Sequence, residues 1–158
     1  MADFISSKVS QQGRAVVARL PPGVDLLEGL IDVCNENKLT CGAVIALIGS
    51  LKEAGFIFAV PSGKNETNIT YSEPVIVPGP LEFLSGQGLI GLRENGEITV
   101  HLHGLISDPY KNIYGGHFLP GRNPVLVTIE VLIKEFSDVV ISRVFDEETQ
   151  FNLFKILK

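Results

Sequence analysis

The sequence predicts an α+β domain, at its limit mainly β, built on an antiparallel sheet with one helix. Three observations carry this. Most of the chain falls into short segments in which apolar and polar residues alternate, the period of a half-buried strand. Turn-forming residues punctuate those segments, and the 158 residues include 16 glycines and nine prolines. Only one stretch, beginning at Asp25, repeats its apolar residues at helical spacing.

Arg14 to Leu20 reads as a strand with Val16, Ala18 and Leu20 on one face, ended by Pro21-Pro22-Gly23. Asp25 and Glu28 form an aspartate version of a capping box. Leu27, Leu30, Ile31 and Cys34 then follow at i, i+3, i+4 and i+7, giving a helix whose apolar stripe lies on a sheet and which ends near Asn37-Lys38. Cys41 to Ile48 is almost continuously apolar, the pattern of a central strand buried on both faces. Gly49-Ser50 is expected to break it, with Leu51 to Val60 resuming as a strand and Pro61 to Asn68 forming a polar loop. Tyr71 to Val77 reads as extended, with Pro74 placing it at an edge. Pro78-Gly79-Pro80 punctuates the chain before a strand from Leu81 to Leu92, whose Gly86-Gln87-Gly88 centre suggests a bulge or a close backbone approach.

Asn95-Gly96 has the chemistry of a type I′ hairpin turn into a strand from Ile98 to Ile106. Asp108 to Gly116 reads as a loop and Pro120-Gly121 as a turn. Val125 to Phe136 and Val139 to Phe145 read as a second hairpin, and the tail from Asp146 as either a short helix or a strand. About eight strands result.

The length suits one domain with a substantial core, spanning residues 1–158. The formal net charge is −5, which disfavours unaided binding to polyphosphate and so direct nucleic-acid contact. No apolar run reaches a membrane span of about 18 residues, and Met1 to Ile5 lacks the basic and apolar regions of a signal peptide. A cytoplasmic location follows as the expectation. There Cys34 and Cys41 read as small buried apolar residues, not a disulfide. Asn65-Glu66-Thr67 and Asn68-Ile69-Thr70 match the glycosylation acceptor pattern, which here marks only an exposed polar loop.

All three histidines fall in one short stretch, as His101-Leu102-His103 and Gly115-Gly116-His117. In a strand, residues i and i+2 face the same way about 6.6 Å apart, so His101 and His103 can converge on one ion about 2.0–2.1 Å from each nitrogen. His117, from what reads as a glycine-hinged loop, would complete a tripod with one position vacant, the pattern of catalytic zinc. The alternative is a histidine pair that lines a polar sheet face. Glu130 is the candidate for a nearby carboxylate, as a fourth ligand or a catalytic proton carrier, unless it faces solvent from its strand. Glu82, Ser85, Tyr114 and Arg122 are candidate pocket residues, Arg122 through the affinity of its planar fork for a carboxylate.

Several motifs occur in a characteristic order: Arg19-Leu20-Pro21-Pro22-Gly23 before Asp25-Leu26-Leu27, Ile48-Gly49-Ser50-Leu51, Gly79-Pro80-Leu81-Glu82 with Leu84-Ser85-Gly86, and His101-Leu102-His103 with Gly115-Gly116-His117-Phe118-Leu119. Glu130-Val131 and Phe145-Asp146-Glu147-Glu148-Thr149 close the series. Together they resemble the plants-and-prokaryotes-conserved (PPC) domain over roughly residues 12 to 155. The resemblance implies a strongly bent antiparallel sheet with a helix, generally assembled as a homotrimer. In plant relatives the domain follows an AT-hook that enters the DNA minor groove. Gly121-Arg122-Asn123-Pro124 mimics that element but lacks its leading arginine and a second basic residue. A more distant, architectural resemblance reaches acetolactate decarboxylases, in which a His-x-His pair and a later histidine bind zinc.

Three functions follow as expectations. The first is a metal-dependent enzyme or small-molecule binder of lyase or hydrolase type, its divalent ion held by His101, His103 and His117. The second is a non-catalytic, DNA-binding or transcription-related interaction module. The third is a metal tripod that only stiffens the fold and supports trimer packing.

Overall fold

The structure, a computed structural model, describes residues 7–10, 12–63 and 68–157. Asn65-Glu66-Thr67 and the first five residues lie outside them. The elements in order are β1 (Gln12–Leu20), α1 (Leu26–Glu36), β2 (Gly42–Ile57), β3 (Ala59–Pro61), β4 (Ile69–Tyr71), β5 (Val75–Arg93), β6 (Ile98–Ser107), β7 (Ile113–Phe118), β8 (Val125–Phe136), β9 (Val140–Asp146) and β10 (Phe151–Leu157). The α+β class holds, with strand dominant and one helix.

Eight strands form one sheet and β3 pairs with β4 in a small second one. Within the large sheet, β2 pairs with β5, β5 with β6 and β6 with β7. β7 then returns to the far end of β2, with Phe56 opposite Phe118 and Ile57 opposite His117, so these four strands close a ring. β8 and β1 extend the sheet from the near end of β2, and β9 joins β5 in the one parallel pairing among the described residues, at Leu92–Ser142 and Arg93–Arg143.

Bending is a consequence of strand length. β2 has 16 residues and β5 has 19. Straight, they would run about 50–60 Å, against a radius of gyration of about 15 Å for a domain of this length. Register shifts near Glu53, between Val44 and Ala46, and between Gly49 and Leu51 let β2 curve. Gly49-Ser50 therefore does not break the strand but bends it. Gly49 has φ +149°, and a Cβ there would collide with the Thr128 carbonyl of β8.

β2 is buried on one face only, since Ile45 and Ile48 are 47% and 54% exposed while Val44 and Leu47 sit in the core. β5 likewise continues without a break through Pro78-Gly79-Pro80, opposite the register shift near Glu53. The Asn95-Gly96 hairpin is not type I′: only Gly96 has positive φ, and Gly96 N–H donates to the Arg93 carbonyl (2.9 Å), which is a type I turn followed by a glycine bulge. Gly115-Gly116-His117 lies inside β7, not in a loop. β8 and β9 do not form a hairpin, because β8 is taken up by β1 and β2, and β9 by β5 and β10. The tail is a strand.

α1 starts where expected, with the Asp25 carboxylate accepting from Leu27 N and Glu28 N (3.0 and 3.2 Å). It buries Leu26, Leu27, Leu30 and Cys34 against the inner sheet face, among Phe83, Leu102, Phe118 and Ile129. A second small cluster gathers Cys41, Val139 and Ile141 with Phe136, Phe154 and Ile156, and it seats β9 and β10.

Candidate metal centre

β6 alternates as the sequence predicts. Val100, Leu102 and Ile106 point into the core, so His101 and His103 project from the opposite face. Their cross-strand partners on β5 are Leu89 and Gln87. On the other side of β6, His103 stands opposite His117 of β7. Three imidazoles thereby meet by strand register alone. Their rings lie 4.6 to 5.3 Å apart centroid to centroid. One ring nitrogen from each falls within 4.8 Å of the others. His101 Nε2 and His103 Nε2 are 3.0 Å apart, close to the roughly 3.3 Å between two nitrogens on one tetrahedral zinc.

The donor set fits a divalent ion. His117 is buried, and its Nδ1 has no hydrogen-bond partner, a deficit that buried polar atoms seldom carry without a reason. Burial first, then the charge of Arg143 and the neighbouring His103, hold His101 down to about 4. Burial, His101, Arg143 and His103 in that order hold His117 to about 4 as well, and burial lowers His103. All three are therefore neutral at pH 7, the form whose lone pair binds metal.

Aromatic residues from distant segments close around the cluster. Tyr71 of β4 lies 5.7 Å from His117, Phe151 of β10 lies 4.9 Å from Tyr71, and Phe154 lies 6.2 Å from His101. On the opposite flank, His101 and His103 share an open recess of about 530 Å³ with Ile45, Gln87 and Leu89.

The other expected site residues divide. Ser85 shares a smaller recess with His103 and Gln87. Glu82 lines a separate hollow with Ser50 and Asp108. The Tyr114 hydroxyl donates to Asp108 (3.1 Å) and so serves the β6–β7 turn. Arg122 packs its Cβ over Gly55. Glu130 is exposed on β8 between Arg19 and Ile48. Three strand spacings, roughly 14 Å, separate β8 from β6, so within one chain Glu130 is not the carboxylate of this centre. Asn123, passed over in the sequence as part of an AT-hook mimic, is a buried clamp. Its Oδ1 accepts from Gly55 N (2.9 Å), its amide donates to the Leu119 carbonyl, and its N–H donates to Asp25 Oδ2 (2.8 Å).

Solved structures that share the fold include two that cover nearly all of this chain. A metal-containing protein from Archaeoglobus fulgidus superposes with TM-score 0.79 at 22% identity, covering 96% of this chain and 99% of the other. A plant- and prokaryote-conserved (PPC) protein from Pyrococcus horikoshii gives 0.80 at 23% identity, covering 98% and 99%. The bifunctional protein GlmU of Synechococcus sp. (strain JA-2-3B'a(2-13)) is 29% identical over 133 residues, 84% of this chain. The chain spans only about a fifth of the length of that relative, 18%. The sequence profile of the Plants and Prokaryotes Conserved (PCC) domain matches residues 7–137, which takes in all three histidines and stops before Phe145–Thr149, and the chain belongs to that family.

Proposed function

We propose that this chain is a metal-binding domain in which His101, His103 and His117 hold a divalent ion and present it to a small ligand. The observation that carries the reading is the convergence of three neutral ring nitrogens, set by the register of β5, β6 and β7, beside a buried His117 Nδ1 with no protein partner. An all-imidazole donor set favours zinc among the abundant ions. The metal-containing relative from Archaeoglobus fulgidus supports the same reading.

A metal bound here supplies Lewis acidity to a carbonyl or water oxygen of the ligand. The chain's own part is positional. His103 is exposed, so the centre is open to solvent, while Tyr71 and Phe154 set their rings against His117 and His101 on the other side. Among the described residues no carboxylate joins the histidines as a further ligand. The test is metal content per chain by mass spectrometry on tag-free protein. Near-stoichiometric zinc that disappears in His101→Ala is the expected result. A protein that stays metal-free after reconstitution would end this reading.

We propose also that copies assemble as a homotrimer, supported by a run of exposed apolar side chains on the outer sheet face: Val17, Leu132, Ile45, Ile48, Leu89 and Leu105. Exposed apolar side chains gathered on one sheet face are the mark of a surface that meets a partner. The buried, unlinked thiols of Cys34 and Cys41 suit the reducing cytoplasm. Among the described residues no helix is long and apolar enough to cross a membrane.

A further inference from the structure

On the side of His117 away from the open recess, a second hollow of about 510 Å³ is walled by Tyr71, Arg93, Glu94, His117, Arg143 and Asn152. Its charge is unusual. Arg143 is half-buried, with its guanidinium carbon 6.0 Å from the Phe154 ring, and that ring is the one lying 6.2 Å from His101. Arg93 stands directly beside Arg143 across the parallel β5–β9 pairing. Two like charges at neighbouring ladder positions destabilise a sheet. A half-buried guanidinium without a counter-ion adds a desolvation cost.

Neither cost is offset within the described chain. The ion pairs there are Arg14–Glu135 and Lys155–Asp146, and no carboxylate lies within 4.0 Å of Arg93 or Arg143. Glu94 lines the hollow without pairing with either. In a chain of net charge −5 this is a local concentration of positive charge, and a divalent ion on the histidines would raise it further. Two arginines in a wall shared with a metal ligand have the chemistry to take an oxyanion, whose oxygens accept N–H bonds from a guanidinium fork. Arg143 also lies beyond residues 7–137, the segment matched to the family, so that match does not account for it.

We propose that this hollow binds a small oxyanion, carboxylate or phosphate, held by Arg143 and Arg93 beside the metal centre. The proposal names the ligand class of that centre and rests on the metal reading. The experiment measures zinc content first, then titrates malonate and inorganic phosphate calorimetrically into zinc-loaded wild type, Arg143→Gln and Arg93→Gln, each freed of unbound metal. The expected result is one anion per chain in wild type, weakened about tenfold or more in both variants while zinc content is unchanged. Whichever probe binds more tightly identifies carboxylate or phosphate as the head group.

Equal affinity in wild type and both variants, with zinc retained, would overturn the proposal and leave the metal centre standing. So would absence of binding by either probe to the zinc-loaded wild type. Loss of zinc from the wild type itself would instead fail both readings, and the metal assay shows which has failed. If Arg143 serves only to pack Phe154, Arg143→Gln lowers the melting temperature and the exposed Arg93→Gln leaves anion affinity alone, which also overturns it. If the anion role is right, removing an unpaired charge leaves the melting temperature of the anion-free protein unchanged or raised.

Discussion

His101 and His117 stay neutral well below the pH at which a free imidazole takes up a proton, because burial and the nearby Arg143 both penalise the charged ring. The unfolded chain binds those protons near pH 6.5, whereas the folded one resists until about 4. Between these values the unfolded state carries more protons, so stability is full above about pH 6.5 and falls as pH drops toward 4. The metal-free protein should show a urea midpoint that declines from pH 7 to pH 4.5, and a flat midpoint would contradict the burial of these rings. In the folded protein, protons compete with metal for the lone pairs of His101 and His117 only as pH nears about 4, so bound metal should outlast most of that interval. At the same scale, Asn123 ties α1, β2 and the turn after β7 through three hydrogen bonds. Asn123→Ala leaves the Gly55 N–H and the Leu119 carbonyl without that partner in a buried place, at a cost of about 2–4 kcal/mol. Thermal unfolding should show this as a drop of roughly 5–15 °C.

The element that decides the metal centre is β7. Its Gly115-Gly116 pair is there because β6 and β2 press on it from both sides: a Cβ at Gly115 would stand 2.5 Å from the Gly104 carbonyl oxygen, and one at Gly116 would stand 2.5 Å from that of Ile57. Gly116→Ala must push β7 away from β2, and His117 is the next residue. Overpacking of this kind costs about 1–3 kcal/mol. The expected outcome is a lowered melting temperature together with weakened zinc affinity, read by competition with a chelating dye. Unchanged affinity would mean that β2 does not hold His117 in place. β6 contributes the other two ligands by simple alternation, and β5 contributes Leu89 and Gln87 beside them through its register. Ring placement in the centre is therefore a property of three paired strands.

At the scale of the molecule, the inner sheet face is covered by α1 and by the curvature of β2 and β5, while the outer face carries apolar side chains left exposed among the described residues. Five of those exposed residues follow or precede a core residue on the same strand, as Ile48 follows Leu47 and Leu105 precedes Ile106, and Val17 lies between the partly buried Val16 and Ala18. The alternation is thus hydrophobic on both faces, which is the pattern of a sheet that packs twice. Light scattering on a sizing column should give the mass of three chains, 17.1 kDa each. Ile48→Asp places a charge in that face and should shift the mass toward one chain with little change in far-ultraviolet circular dichroism. A monomeric wild type would refute the assembly.

Period and punctuation determined much of this protein. The helix from Asp25 with its buried stripe, the antiparallel strands, and His101 and His103 on one strand face could all be read directly, because each depends on residues close in sequence. His117 was legible as a candidate but not as a strand residue, since paired glycines read as a hinge until neighbouring backbones are there to exclude side chains. The bends at Gly49 and Pro78–Pro80 looked like strand ends for a related reason: local conformational preference does not reveal that a long strand must curve to stay in a small domain. Glu130, read as the partner carboxylate, sits three strands away, and Arg143, Tyr71 and Phe154, which surround the histidines, come from segments with no local signal. The sequence by itself determined which residues can bind a metal and which face they share. Only the tertiary structure decided what stands next to them, because register across strands far apart in the chain is set by packing of the whole sheet and by no periodicity within one strand.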